Sequence, residues 1–161
     1  MIVVSDTSPI TNLAAVGRLD LLHQPYGSLK IPQAVSEEVA ANGAEQRGFS
    51  QVQTSSWIET RAVTNHALVT ALMLELHPGE SEAIALAIEL QANLLLMDER
   101  NGRRVATRFG LKYVGLLGVL IEAKSKGLLS AVHPILDDLR SKAGFWISEV
   151  LYRRVLQAAG E

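Results

Sequence analysis

Residues 2–22 read IVVSDTSPITNLAAVGRLDLL, a short apolar run that ends in an acid and leads into a helical pattern. The run Ile2–Ser5 is almost continuously apolar, which is typical of a strand that is covered on both faces, as in parallel sheets. Asp6 closes this run, and we place a helix at Pro9–Leu22 with a break near Gly17. A buried strand followed directly by a helix indicates an α/β protein.

The same alternation of strands and helices continues along the chain. Further apolar runs predict strands at Leu29–Ile31, Leu94–Met97 and Tyr113–Val114. Helical patterns lie at Pro32–Ala41, Asn65–Leu76, Gly79–Leu90, Gly102–Phe109, Leu116–Lys126, Pro134–Lys142 and Ser148–Ala159. Trp57–Val63 is compatible with either a strand or a loop, and Asn42–Gln51 is the best candidate for a mobile surface loop. We therefore expect one three-layer α/β/α domain over residues 1–161, with a mainly parallel sheet of four or five strands and a helical C-terminal segment.

The composition is that of a globular protein without thiol chemistry. The 161 residues are 48% hydrophobic and 20% charged, and they include no cysteine. This excludes disulfides, thiolate catalysis and cysteine-bound metals. The N-terminal apolar run is too short for a signal peptide, and no run approaches the roughly 20 residues that span a bilayer, so we expect a cytoplasmic protein with no membrane contact. Because the net charge is −2, nucleic-acid binding would need a local basic patch or bound cations.

Several common catalytic motifs are missing from the sequence. The four histidines lack HxxxH or HxH spacing, which argues against a histidine-bound zinc ion. The serines lack a GxSxG context, and the glycines form neither GxGxxG nor a Walker loop. Hydrolysis by a serine nucleophile and the common forms of nucleotide binding are therefore disfavoured.

Two acids end predicted strands and are expected to meet at one edge of the sheet. Asp6 closes the first apolar run, and Asp98 closes Leu94–Met97 in the same way. The first and fourth strands of such a sheet can be neighbours, and ligands of doubly wound proteins bind outside the carboxyl ends of the strands. Carboxylates that meet there repel each other unless a cation neutralises them. The alternative interpretation of Asp6 is a helix N-cap.

Glu38 and Glu80 add carboxylates from predicted helices. Glu38 lies in the phrase VSEEVA beside Glu37, and Glu80 lies in a first helical turn with Glu82 two residues further on. Taken singly, Glu80 suits a helix N-terminus, and Glu37 and Glu38 suit a solvated helix face. Grouped with the two strand-end acids, they would form an oxygen site suited to Mg²⁺ or Mn²⁺.

Basic residues follow Asp98 along the chain, at Arg100, Arg103, Arg104, Arg108 and Lys112. Arg104 and Arg108 share a helix face, and part of this set is expected to be ordinary helix surface. Beside an acidic metal site, the four arginines would contact a nucleic-acid phosphate backbone. Arg103 and Arg104 would then lie near the scissile phosphate.

Five segments carry a resemblance to a known family: VVSDTSPITNLAAVGRLDLL, IPQAVSEEVA, HPGESEAIALAIEL, LLLMDERNGRRVATRFGLKYVGLLGVL and GFWISEVLYRRVLQAAGE. Together they cover nearly the whole chain and resemble the PIN-domain superfamily. More narrowly, they are similar to its DUF3368 branch, which is related to the VapC-type toxins. The motifs DTSPIxNL, GESEAIALA and DERNGRRVA, in this order, make the resemblance specific.

The resemblance implies a metal-dependent endoribonuclease that uses Mg²⁺ or Mn²⁺ to hydrolyse RNA. It implies that Asp6, Glu38, Glu80 and Asp98 are catalytic. Asp6, Glu80 and Asp98 would bind the metal, with Glu38 and Glu82 as second-tier ligands. The sequence departs from the family pattern at Glu80, where aspartate is commoner, and at Leu116, where relatives of this branch frequently have threonine. The alternative is a weak or inactive PIN-like module that acts in regulation or in binding nucleic acid or protein.

The resemblance also implies partners. RNA would be the substrate, and a small antitoxin protein would cover the acidic cleft if the chain is the toxin of a toxin–antitoxin pair. Homodimers are usual in the superfamily. Apolar residues near the C-terminus would form such an interface, or would instead complete the core: Phe145, Trp146, Ile147, Val150, Leu151 and Val155.

Overall fold

The structure is a computed structural model that describes residues 1–43 and 49–161. Its strands are β1 (Val3–Ser5), β2 (Leu29–Pro32), β3 (Ile58–Arg61), β4 (Leu94–Leu96) and β5 (Tyr113–Val114). They form one parallel sheet in the order β3-β2-β1-β4-β5. The three-layer α/β fold predicted from the sequence is confirmed, and the segment Trp57–Val63 contains a strand.

Helices flank this sheet. In the described residues they are α1 (Thr7–Ala15), α2 (Asp20–Tyr26), α3 (Gln33–Gly43), α4 (Phe49–Thr54), α5 (His66–Leu72), α6 (Pro78–Glu89), α7 (Arg100–Arg108), α8 (Leu116–Ser125), α9 (His133–Lys142) and α10 (Glu149–Ala158). The single helix predicted at Pro9–Leu22 is two helices, because the chain turns at Gly17, which has a φ of +71°. Of the predicted loop Asn42–Gln51, the two ends belong to α3 and α4, and residues 44–48 lie outside the described residues.

Apolar clusters cover both faces of the sheet. Val3 and Leu96 belong to one cluster, with residues of α1, α2, α8 and α9. Val4 and Leu95 belong to a second cluster, with residues of α5, α6 and α7. Since successive strand residues point to opposite faces, the two clusters lie on opposite sides of the sheet. Burial on both faces explains why the strand sequences are continuously apolar instead of alternating.

The C-terminal helices pack on the first of these clusters. Residues of α8, α9 and α10 share it with β1. Among the apolar residues considered for a dimer interface, Ile147 and Val155 are buried, whereas Trp146, Val150 and Leu151 are exposed. Within the described ranges, the helices are too short or too polar to cross a membrane.

Candidate functional site

The ends of β1 and β4 bring two acids to the same edge of the sheet. The two strands pair in parallel with Ser5 opposite Leu96, and the Asp6 amide donates a hydrogen bond to the Leu96 carbonyl at 3.0 Å. Asp6 directly follows β1, and Asp98 lies two residues beyond the end of β4. The two acids are neighbours because their strands are adjacent and run in the same direction, which is the arrangement that the sequence predicts.

Asp6 is buried, with only 6% of its surface exposed. It precedes α1 at the N-cap position, but its side chain makes no capping hydrogen bond to that helix. Burial raises its pKa from 3.8 to about 7, and the negative charges of Glu80, Glu38 and Asp98 also raise it, against a hydrogen bond from the Thr7 amide that lowers it. The structure therefore brings the other three predicted acids close enough to Asp6 for their charges to act on it.

Glu38 lies on α3 and is bound by donors from two other helices. The Thr7 hydroxyl donates to Glu38 Oε2 at 2.5 Å, and the Gly79 amide donates to Oε1 at 3.2 Å. A β-carbon at Gly79 would lie 2.5 Å from Oε1, so the lack of a side chain there allows the carboxylate to approach α6. The adjacent Glu37 is exposed and accepts a hydrogen bond from Gln33 on its own helix. Of the two neighbouring glutamates, only Glu38 thus reaches the acidic cluster.

Asp98 connects the cluster to the start of α8. The Ser8 hydroxyl donates to Asp98 Oδ2 at 3.0 Å, and the Leu116 amide donates to Oδ1 at 2.7 Å. Arg103 Nη2 lies 3.9 Å from the same Oδ1. A β-carbon at Gly115 would lie 2.8 Å from Oδ1 and would overlap the Arg103 guanidinium. Because Asp98 uses the backbone of Leu116, leucine in place of threonine leaves this contact intact.

Glu80 and Glu82, the two candidates for the third acid, make different contacts. Glu80 is buried, and burial is the main reason that its pKa is raised above the ordinary value for a glutamate. Glu82 accepts a hydrogen bond from the Ala34 amide at 3.2 Å, in the first turn of α3, where backbone amides lack helical partners. Glu80 therefore shares the site with Asp6, and Glu82 supports the start of a helix.

Sequence reasoning missed three polar residues of this site. Thr7 and Ser8 supply the hydroxyls that bind Glu38 and Asp98. The charge of Glu99 also raises the pKa of Glu80, after the effect of burial. Their positions in the sequence could have indicated them, because they directly follow the two strand-end acids in the motifs DTS and DER.

The family comparison agrees with this fold. The DUF3368 family model, described as a PIN domain, matches residues 2–161. The chain belongs to this family of PIN domains. No curated protein sequence gives a significant match to the chain. PIN domains have a nuclease-type fold and generally use divalent metals, so the family agrees with the acidic character of the strand-end cluster.

The predicted basic residues of this PIN domain differ in their contacts. Arg103 lies beside the acidic cluster, where its Nη2 is 3.9 Å from a carboxylate oxygen. Arg104 and Arg108 both pair with Glu75, at 3.7 and 2.8 Å, on an exposed surface. Arg100 is exposed and makes no ion pair within residues 1–43 and 49–161. Arg103 is therefore the arginine of this set that lies within ion-pair distance of the acidic cluster.

The donor chemistry of the cluster suits a hard cation. Carboxylate oxygens are the ligands that Mg²⁺ and Mn²⁺ prefer in proteins. In the part of the chain that the structure describes, no three acidic or histidine side chains are arranged to hold one ion together. Two of the carboxylates, those of Glu38 and Asp98, accept hydrogen bonds from protein groups. The ligand types fit a divalent metal, and binding it would require these carboxylates to adjust.

Proposed function

We propose that this PIN domain, acting as one domain over residues 1–161, is a metal-dependent endoribonuclease. The observation that supports it most is the buried carboxyl of Asp6, whose pKa is raised to about 7 in the company of three further acids. Carboxylates that are buried or crowded together favour neutralisation by protons or by a cation. In a family with a nuclease-type fold, we favour a divalent cation, because it can also bind the substrate phosphate and take part in hydrolysis.

Four acids would carry the chemistry in this proposal. Asp6, Glu80 and Asp98 would hold Mg²⁺ or Mn²⁺, and Glu38 would hold a second ion or the attacking water. Glu82 would be a second-tier ligand. When bound, the ion lowers the pKa of a water molecule and neutralises charge on the leaving oxygen. Because each carboxylate oxygen has two lone pairs, an acid that already accepts one hydrogen bond can still bind a cation.

Neighbouring residues would orient these acids and the substrate. Thr7 and Ser8, both in the first turn of α1, donate hydrogen bonds to Glu38 and Asp98 respectively. Arg103 lies next to Asp98 and would donate hydrogen bonds to a phosphate of the RNA. Three exposed arginines of α7 would contact further phosphates of the RNA, namely Arg100, Arg104 and Arg108.

The test is RNA cleavage by matched variants. Wild-type protein, Asp6→Asn, Asp98→Asn and the control Glu37→Gln are each incubated with a mixed RNA pool and Mn²⁺ or Mg²⁺. We expect cleavage by the wild type and by Glu37→Gln, because Glu37 is exposed and lies outside the cluster. Cleavage should stop in EDTA and be absent in both aspartate variants. Equal cleavage by all four proteins would show that Asp6 and Asp98 do not carry the activity, as with a contaminating nuclease, and would overturn the proposed site.

A catalytically weak or inactive module is the second candidate. It is favoured by two observations: protein donors already bind Glu38 and Asp98, and no preformed metal site is found among the residues described. It predicts that the wild type binds RNA but does not cleave it at any concentration of Mn²⁺.

The relation to VapC-type toxins supports a finer proposal. The chain would be the toxin of a cytoplasmic toxin–antitoxin pair, and a small antitoxin encoded beside it would cover the acidic cleft. A gene without such a neighbour would count against this role. A homodimer is a separate expectation, and a monomeric mass in light scattering at micromolar concentration would exclude it.

A further inference from the structure

A cavity of about 670 Å³ opens beside the acidic cluster. Residues of β5, α8 and α10, together with the segment between α9 and α10, form its walls. Asp98 lies in its wall, so the cavity and the proposed active site share this residue. Its volume falls in the range of ligand-binding clefts.

Aromatic side chains are concentrated around this cavity. Only 5% of the chain is aromatic, yet Tyr113, Phe145 and Trp146 all line the cavity. Trp146 is 83% exposed and Tyr113 is 39% exposed. Exposed rings at a cleft can bind a planar partner, because one ring face is already free of protein.

Cationic side chains accompany these rings. Arg103 and Arg154 both line the cavity, and the Arg103 guanidinium carbon lies 5.5 Å from the centre of the Tyr113 ring. Arg154 makes no ion pair with the rest of the described chain. Aromatic rings beside arginines are the combination that binds single-stranded nucleic acid, since bases stack on the rings and phosphates pair with the cations.

We propose that this cavity is a base-binding subsite for single-stranded RNA next to the cleavage position. One base stacks on Trp146, and the adjoining phosphates contact Arg103 and Arg154. The inference rests on the proposed function, because Asp98 belongs both to the cavity wall and to the acidic cluster. The stacking contact on Trp146 requires an unpaired base, since a base within a duplex is already stacked and cannot reach the ring.

The test measures binding without cleavage. The anisotropy of a fluorescein-labelled single-stranded RNA is recorded in EDTA with wild-type protein, Trp146→Ala, Trp146→Phe and the control Phe109→Ala. Phe109 is also an exposed ring, 46% accessible, but it does not line the cavity. We expect Trp146→Ala to bind roughly tenfold or more weakly, the size expected for loss of one stacked base. Trp146→Phe should recover most of the affinity, and Phe109→Ala should match the wild type.

Four outcomes separate this inference from the nuclease proposal. Loss of affinity in Trp146→Ala with an unchanged melting temperature supports the subsite, whether or not the wild type cleaves RNA with Mn²⁺. Equal affinities of Trp146→Ala and wild type overturn the subsite, and cleavage by the wild type would then still support the nuclease. Equal losses in Trp146→Ala and Phe109→Ala overturn it too. The subsite is also overturned if the wild type is a dimer, Trp146→Ala is a monomer and the RNA affinity is unchanged. That result would make this face an interface between copies of the chain.

Discussion

Replacing Asp6 with asparagine should stabilise the metal-free protein at neutral and alkaline pH. Aspartate titrates at 3.8 in its ordinary state, and burial among other acids raises the pKa of Asp6 to about 7 in the folded protein. Between these pH values the folded state keeps the proton that the unfolded chain has lost, so the free energy of unfolding falls as the pH rises. A shift of about three units corresponds to about 4 kcal/mol. Asparagine has nearly the same shape and no charge, so it avoids this loss.

Urea unfolding in EDTA between pH 4 and pH 8.5 measures the effect. Near pH 4 the wild type and Asp6→Asn should have similar stability, because the folded wild type is protonated at Asp6. At pH 8 the variant should be more stable by several kcal/mol, whereas the exposed control Glu37→Gln should differ from the wild type by less than about 0.5 kcal/mol at both pH values. A variant that is no more stable than the wild type at pH 8 would refute the reasoning. In buffer without EDTA, Mn²⁺ should stabilise the wild type and Glu37→Gln but not Asp6→Asn, since binding to the folded state alone raises the free energy of unfolding.

Three further substitutions test other contacts. Gly79→Ala should fold but lose most RNA cleavage, because its β-carbon would lie 2.5 Å from Glu38 Oε1 and must displace that flexible carboxylate; full activity with a normal melting curve would contradict this. Ser81→Ala should leave the free energy of unfolding unchanged or higher, because the buried Ser81 hydroxyl has no hydrogen-bond partner among the residues described; a loss above about 1 kcal/mol in urea would contradict this. Glu161→Gln should lower stability at pH 7, because a hydrogen bond from the Val132 amide lowers the pKa of Glu161 to about 2. That loss should shrink as the pH falls from 4.5 towards 2, where the wild-type carboxylate is protonated, and a pH-independent difference in thermal melts would argue against this ionic role.

The central strands were predictable because their side chains are buried on both faces. Val3 and Val4 are fully buried on opposite sides of the sheet, so the sequence around them is apolar without alternation. Strand β3 left a weaker pattern because it lies at the edge of the sheet. Glu59, Thr60 and Arg61 are exposed there, so burial did not select apolar residues.

The site was predictable at the strand ends and less so on the helices. Asp6 and Asp98 could be grouped because parallel neighbouring strands end at the same edge of a sheet. Helical spacing alone could not separate Glu80 from Glu82, since the sequence does not show which side of α6 faces the cluster. Only the family resemblance favoured Glu80. The hydroxyl contact from Ser8 to Asp98 joins residues 90 positions apart, and it becomes visible only once the sheet order is known.

Anomalous diffraction from a crystal grown with Mn²⁺ tests the proposed metal site most directly. The strongest peak should lie within about 2.0–2.6 Å of an Asp6 oxygen and of an oxygen of Glu80 or Asp98. A strongest peak elsewhere on the protein at saturating Mn²⁺, with Asp6 still in contact only with protein groups, would show that the four acids do not form a cation site.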